Sequence, residues 1–219
     1  MKVLLVSALI ATSLFAYPQT QDSPNGNIKG TVSDDTGTPV FDATVYAVPQ
    51  DLTLEGIAPR SVRTDRSGTF DFTGGLPWGN YKVYTEKDKD GYPNPLDSFY
   101  RDLETKPVEV QLSEGSSSAE VSLQMGERAG IITGRVLDAD TGAPLKVRLG
   151  VLYRDDKGGG DHGVNSRAKD GEYRVLVPPG KDIIVMVHIE PGDRSLVPTP
   201  ALRLESGQEV VMDIPVSRK

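Results

Sequence analysis

"SDDTGTPV", residues 33–40, returns further along the chain as "DADTGAPL", residues 138–145. Thr36, Gly37 and Pro39 reappear as Thr141, Gly142 and Pro144, each 105 positions later. A glycine at this point supplies the positive φ of a tight reversal, and the Asp and Thr before it can bond the turn's own backbone. The proline two places on stiffens the exit and limits further pairing. The phrase reads as a hairpin turn written once in each of two halves.

The echo continues in the same order. "KGTV" (29–32) matches "TGRV" (133–136), and "TDRSGTF" (64–70) matches "KDGEY" (169–173) with two residues lost from the second copy. "LPWGNYKV" (76–83) matches "VPPGKDII" (177–184), and "VQLSEG" (110–115) matches "LRLESG" (202–207). Gly68, Gly79, Gly171 and Gly180 mark the further turns. Matched segments in one order over most of the chain identify an internal duplication.

Strand-like stretches lie between the turns. In the first copy they are 27–33, 43–48, 61–64, 69–73, 81–86, 108–112 and 120–124. In the second they are 131–137, 147–153, 164–168, 172–177, 182–189, 201–204 and 209–216. Several alternate with period two, as Ile28, Gly30, Val32 and Val121, Leu123, Met125 do. With 23 Gly and 16 Pro, the pattern predicts an all-β protein of two tandem seven-stranded β-sandwiches. The expected domains are 27–126 and 129–219, joined by "MGERAG" (125–130), each able to fold alone.

These residues resemble the carboxypeptidase regulatory-like domain, a prealbumin-like (Ig-like) sandwich. The first copy carries Gly30, Val32, Asp34, Thr36, Gly37, Pro39, Ala43, Val45, Thr64, Asp65, Gly68 and Phe70 of its pattern. It continues with Leu76, Pro77, Gly79, Tyr81, Gly91 and Tyr92. The second copy carries Gly134, Val136, Asp138, Thr141, Gly142, Pro144, Leu145, Asp170, Gly171, Tyr173, Pro178, Pro179 and Gly180. Trp78 stands where the family has a second proline, and the second copy lacks the later Gly-Tyr pair. The resemblance implies a carbohydrate-binding-like fold used as a module of exported proteins, without catalytic residues of its own.

Composition narrows the chemistry. The formal charge is −7, from 31 acidic and 24 basic residues, and no basic run offers a nucleic-acid surface. There is no cysteine, hence no disulfide, thiolate site or lipid-anchoring lipobox. His162 and His188 are the only histidines, too few and too far apart for a zinc site. No nucleophile elbow or phosphate loop is present. "EKDKDGYPN" (86–94) and "DADTGAP" (138–144) space acidic residues as calcium loops do, but lack the remaining oxygen ligands and are read as turns. The expectation is a non-enzymatic protein with no metal or cofactor.

The most suggestive region runs from Trp78 to Leu103, with the sole tryptophan followed by a long polar loop, 87–107, that holds Tyr92, Phe99 and Tyr100. Two readings compete. The rings could stack on the apolar faces of a sugar, making Trp78, Tyr92, Phe99 and Tyr100 a glycan site. Tyr92 and Phe99 could instead simply cap the open end of the sandwich. The corresponding functions are a binding module for a glycan or envelope partner, and a structural spacer or assembly module.

"MKVLLVSALIATSLFA" (1–16) has a positive Lys2 and an apolar run from Val3 to Phe15, shorter than the roughly 20 residues of a membrane span. It reads as a signal peptide, with 17–26 a flexible leader and the mature protein secreted or periplasmic. N-terminal sequencing of the exported protein should find Tyr17 or an immediate neighbour first; an intact Met1 on soluble cytoplasmic protein would refute export.

Overall fold

A computed structural model describes residues 25–51, 56–73, 75–103, 105–155, 158–167, 169–188 and 196–217. Residues 1–16, read above as a signal peptide, lie outside them. Within the described residues, sixteen strands form two successive β-sandwiches.

The first sandwich pairs β1 (Asn25–Ser33) with β4 (Thr69–Asp71) and β5 (Leu76–Pro77) on one side and β8 (Ser118–Gln124) on the other. Its second sheet has the order β3 (Arg60–Arg63), β2 (Thr44–Pro49), β6 (Gly79–Glu86), β7 (Val108–Leu112). The second sandwich repeats this plan. There β9 (Gly130–Asp138) lies between β12 (Glu172–Val177) and the successive β15 (Glu209–Val211) and β16 (Ile214–Val216). Facing it is the sheet β11 (Gly158–Asn165), β10 (Arg148–Asp155), β13 (Ile183–His188), β14 (Leu196–Pro198). In both copies the first and last strands are parallel neighbours.

Alternation places one row of side chains from each sheet in a core. Ile28, Val45, Phe70, Phe72, Tyr81 and Leu112 belong to the first; Ile132, Leu149, Val151, Tyr173, Val175 and Val185 belong to the second. The duplication extends to single atoms. Gly30 and Gly134 each lie beneath a parallel strand, where a Cβ would come 1.8 Å from the Val121 carbonyl oxygen or 2.0 Å from that of Met212. Each pairs with the aromatic residue of the neighbouring strand, Phe70 or Tyr173. A buried hydroxyl latch also recurs. Thr64 Oγ1 donates to the Val40 carbonyl (2.6 Å) and accepts from the Ala43 amide (2.9 Å). Ser166 Oγ donates to Leu145 (2.6 Å) and accepts from Val147 (2.9 Å).

The latch corrects the sequence alignment. Thr64 to Gly68 corresponds to Ser166 to Gly171, so the second copy gains one residue there instead of losing two. The expected strand 201–204 is also absent. Pro200 has no amide to donate, and beyond β14 the pairing among the described residues continues as Thr199 bonding Val185 and Leu202 exchanging bonds with Ile183. The expected single strand 209–216 is split, because Met212 and Asp213 form an irregular step in which the Asp213 carboxylate accepts the Arg135 amide.

The turns behave as their residues require. Asp34 Oδ1 accepts the amides of Thr36 and Thr38, and Asp65 Oδ1 accepts those of Ser67 and Thr69. Asp138 Oδ1 accepts those of Asp140 and Thr141. Side-chain bonds from Thr36 and Ser67 hold the Asp34 and Asp65 carboxyls below the usual range.

Two glycines separate strain from steric demand. Gly142 has φ +70, and a Cβ placed on it would meet nothing within 4 Å, so Gly142→Ala should cost only its backbone strain, about 1–2 kcal/mol. Gly134→Ala drives a carbon into a backbone oxygen and should cost more than Gly142→Ala. Urea melts of the two variants check the order.

Candidate functional site

The loop that joins β6 to β7 leaves the first sandwich and enters the second. It begins with a short 3-10 turn, Asp88–Asp90, closed by Gly91 at φ 89. A second 3-10 segment, Ser98–Leu103, starts where Asp97 caps the backbone: its carboxylate accepts the Phe99 amide (2.9 Å) and its carbonyl the Tyr100 amide (3.0 Å). That turn aims Phe99, Tyr100 and Leu103 together into the core of the second sandwich, where they are 1%, 6% and 4% exposed.

The receiving pocket is built for rings. Phe99 meets Tyr153 edge-on, with centroids 5.3 Å apart, and Tyr100 at 5.1 Å. Gly160 makes room, since a Cβ there would stand 2.7 Å from the Tyr153 ring and 3.1 Å from Phe99. Tyr100 Oη donates to the Leu176 carbonyl (3.2 Å), and burial pushes its phenol far up from its ordinary value. His162 flanks both rings at 5.4 and 5.9 Å, with Nδ1 3.4 Å from the Asp97 carboxylate.

Polar ties surround the plug. Lys181 Nζ lies 2.9 Å from Asp102 and 5.8 Å from the centre of the Tyr153 ring. Arg174 donates to the carbonyls of Asp88 (2.7 Å) and Lys89 (3.2 Å). The connector is tied down as well: Ala129 donates its amide to Gly91 (2.8 Å), and Arg128 Nε donates to Asp90 (2.8 Å). Met125 and Ala129, at its two ends, are buried.

The four rings expected at a glycan site are therefore not brought together on one surface. Phe99 and Tyr100 sit inside the second core, leaving almost no ring surface for a ligand. Trp78 packs half-buried on the first core, its indole N–H enclosed with no hydrogen-bond partner among the described residues. Tyr92 packs on the same core beneath Arg128, whose guanidinium carbon is 6.0 Å from the ring centre. Of the two rings read as caps, Tyr92 and Phe99, the first stays on its own sandwich and the second packs, with Tyr100, in the core of the other one. Part of the reason lies in equivalent positions. Phe72 hydrogen-bonds Ile28 and fills the first core, whereas Val175, opposite Ile132, is the smaller counterpart in the second. That size difference was the available sequence signal.

Among the described residues no cluster of three or more His, Asp or Glu is placed to hold a metal. No described helix is long and apolar enough to cross a membrane. An open groove of about 630 Å³ lies on the β9–β12 face, where Arg135 and Arg167 lie against Glu172.

Residues 27–94 match the family model of the carboxypeptidase regulatory-like domain. Over 187 residues the chain is 25% identical to halomucin of Haloquadratum walsbyi, covering 85% of this chain and 2% of that protein. Among solved structures, the Bacillus anthracis TIE protein is 17% identical with TM-score 0.35, over 89% of this chain and 34% of the other. A streptococcal ancillary pilin is 17% identical with TM-score 0.36, over 91% and 64%. The shaft pilin SpaA of Lactobacillus rhamnosus GG is 9% identical with TM-score 0.37, over 90% and 98%. The chain thus spans only a small part of its curated relative and about a third of the TIE protein.

Two measurements follow. Phe99→Ala should destabilise the second sandwich by about 3–5 kcal/mol, as for other buried Phe truncations, seen by hydrogen exchange at β10 and β13. Residues 129–219 expressed alone should show the same loss, contrary to full autonomy. Asp88 keeps an exposed surface, yet loss of hydration raises its carboxyl, with Arg174 and His162 opposing. A raised acid favours the folded state below its unfolded pKa and loses that benefit as pH rises through the folded value. Asp88→Asn should therefore gain stability relative to the parent between mildly acidic and neutral pH, read from paired melts.

Proposed function

We propose that the chain is a non-catalytic, exported spacer whose two sandwiches are locked in one relative orientation. The observation that carries this reading is the burial of Phe99, Tyr100 and Leu103 of one copy in the core of the other. A sugar-binding loop would keep its rings in solvent, where stacking can occur. This loop spends two of them on fixing its neighbour. The match of residues 27–94 to a regulatory-like domain and the secretory pattern of residues 1–16 support the same assignment.

The reading reverses the order of the two functions drawn from sequence. A rigid pair of sandwiches sets the distance and direction between flanking segments or between extracellular partners, and needs neither cofactor nor reactive group. The compartment is the periplasm or the exterior. Glycan recognition, as a secondary activity, would fall to Trp78 and Tyr92, the two rings that keep some exposure.

Spin labels on the exposed positions Glu120 and Val211, introduced as cysteines into a chain that has none, measure the interdomain distance. One narrow distance is expected, broadening when Phe99→Ala and Tyr100→Ala are combined. A broad distribution in the parent would contradict the spacer reading.

A further inference from the structure

In each sandwich the strand by which the chain enters lies parallel to the strand by which it leaves. β1 and β8 run side by side from Asn27↔Ser118 to Ser33↔Gln124, and the Met125 amide adds a bond to Ser33. β9 runs beside β15 from Ile131↔Glu209 to Thr133↔Val211, then beside β16 from Val136↔Ile214 to Asp138↔Val216. Between these sets Met212 still bonds Thr133, and beyond them Ala139 bonds Val216. We infer that the molecule is a tension-bearing element, in which a pull along the chain loads the terminal strand pairs of both sandwiches in shear.

Parallel pairing decides the direction of loading. Tension draws β1 back toward its own start and β8 forward toward its own end, so the strands are pulled past each other along their lengths. The bonds between parallel strands are evenly spaced and share such a load. Two strands pulled apart from one shared end would instead lose their bonds in succession. Side-chain packing adds to the resistance: the Phe70 ring covers Gly30, and Val121 and Leu123 of β8 are buried in the first core.

The connector keeps the load on this path. β8 passes into β9 through Met125–Ala129, a segment bonded to Ser33 and Gly91 and held by Arg128 on Asp90. Ser206 Oγ, next to β15, donates to the Arg128 carbonyl (3.1 Å). Tension leaving one clamp therefore enters the next with little slack. The facing sheets, β2, β3, β6 and β7 with their counterparts β10, β11, β13 and β14, lie off this line and serve as the packed backing. The two clamps differ, since the ladder of the second is interrupted at Met212 and Asp213. The second sandwich should yield before the first.

The inference goes beyond the spacer reading, because a rigid spacer need not resist tension. Forced unfolding reads the unfolding barrier directly, so pulling the intact protein in two geometries tests it. A handle fused at the N-terminus is paired with a thiol handle at Glu127→Cys, beyond β8, or at Gly115→Cys in the turn before β8. Both sites suit attachment: Glu127 is exposed, and a Cβ at Gly115 meets nothing within 4 Å. The first geometry shears the β1–β8 pair and the second unzips it from the Asn27–Ser118 end. Shear should need a several-fold higher rupture force at equal loading rate. If Gly115→Cys melts below the parent, Glu114→Cys applies the same pull. Equal forces in the two geometries, or a weaker shear rupture, would overturn the inference. Such a result alongside a narrow interdomain distance would leave the spacer reading standing.

Discussion

The insertion of Phe99 and Tyr100 into the second sandwich is the contact on which the rest of the arrangement depends. A pair of 3-10 turns over Ser98–Leu103, kinked at Tyr100 and started by the Asp97 carboxylate, delivers two rings to a pocket floored by Gly160 and walled by Tyr153. Beside it, Leu103 in the same core, the short connector and a rim of polar ties join the two copies. The Lys181 and Asp102 side chains keep 22% and 26% of their exposure and those of His162 and Asp97 31% and 34%, and ion pairs that remain partly solvated contribute modestly on their own. The lasting part of the coupling is apolar area removed from water. Polar groups such as Arg174 on the Asp88 and Lys89 carbonyls fix the angle at which that area meets.

Duplication explains why such a contact could arise. Each copy needs the same turn, the same glycine beneath a parallel strand and the same buried hydroxyl between strands, and these recur as Gly30 with Gly134 and Thr64 with Ser166. The cores then diverge. The first keeps Phe70 and Phe72 in edge contact at 6.0 Å, and closes by itself. The second has Tyr173 and Val175 on the corresponding strand and receives its missing volume from its neighbour. A close-packed interior tolerates no such vacancy cheaply, so the borrowed rings tie the two copies' fates together.

Much of this fold was legible because its determinants are local. Asp34, Gly37, Asp138 and Gly142 encode turns through their own backbone chemistry, and strands with period-two alternation announce their inner faces. Less local features escaped. The break at Pro200 and the irregular step at Met212 depend on what lies across the sheet, although the prolines were a visible warning. The aromatic loop was identified as the unusual segment, yet its destination was not readable from its own residues. Only the comparison of Phe72 with Val175, and the glycine at 160 opposite Tyr153, hints at a cavity waiting for a ring. Matching Phe70 with Tyr173 already sets Phe72 against Val175, but a deficit of volume does not say which segment of the chain fills it.

Calorimetry of the intact chain tests the coupling most directly. If the plug joins the two cores into one cooperative unit, heating should give a single transition whose calorimetric and van't Hoff enthalpies agree. Two resolved transitions, each with its own enthalpy, would show that the sandwiches unfold independently and would contradict the claim that the second depends on rings from the first.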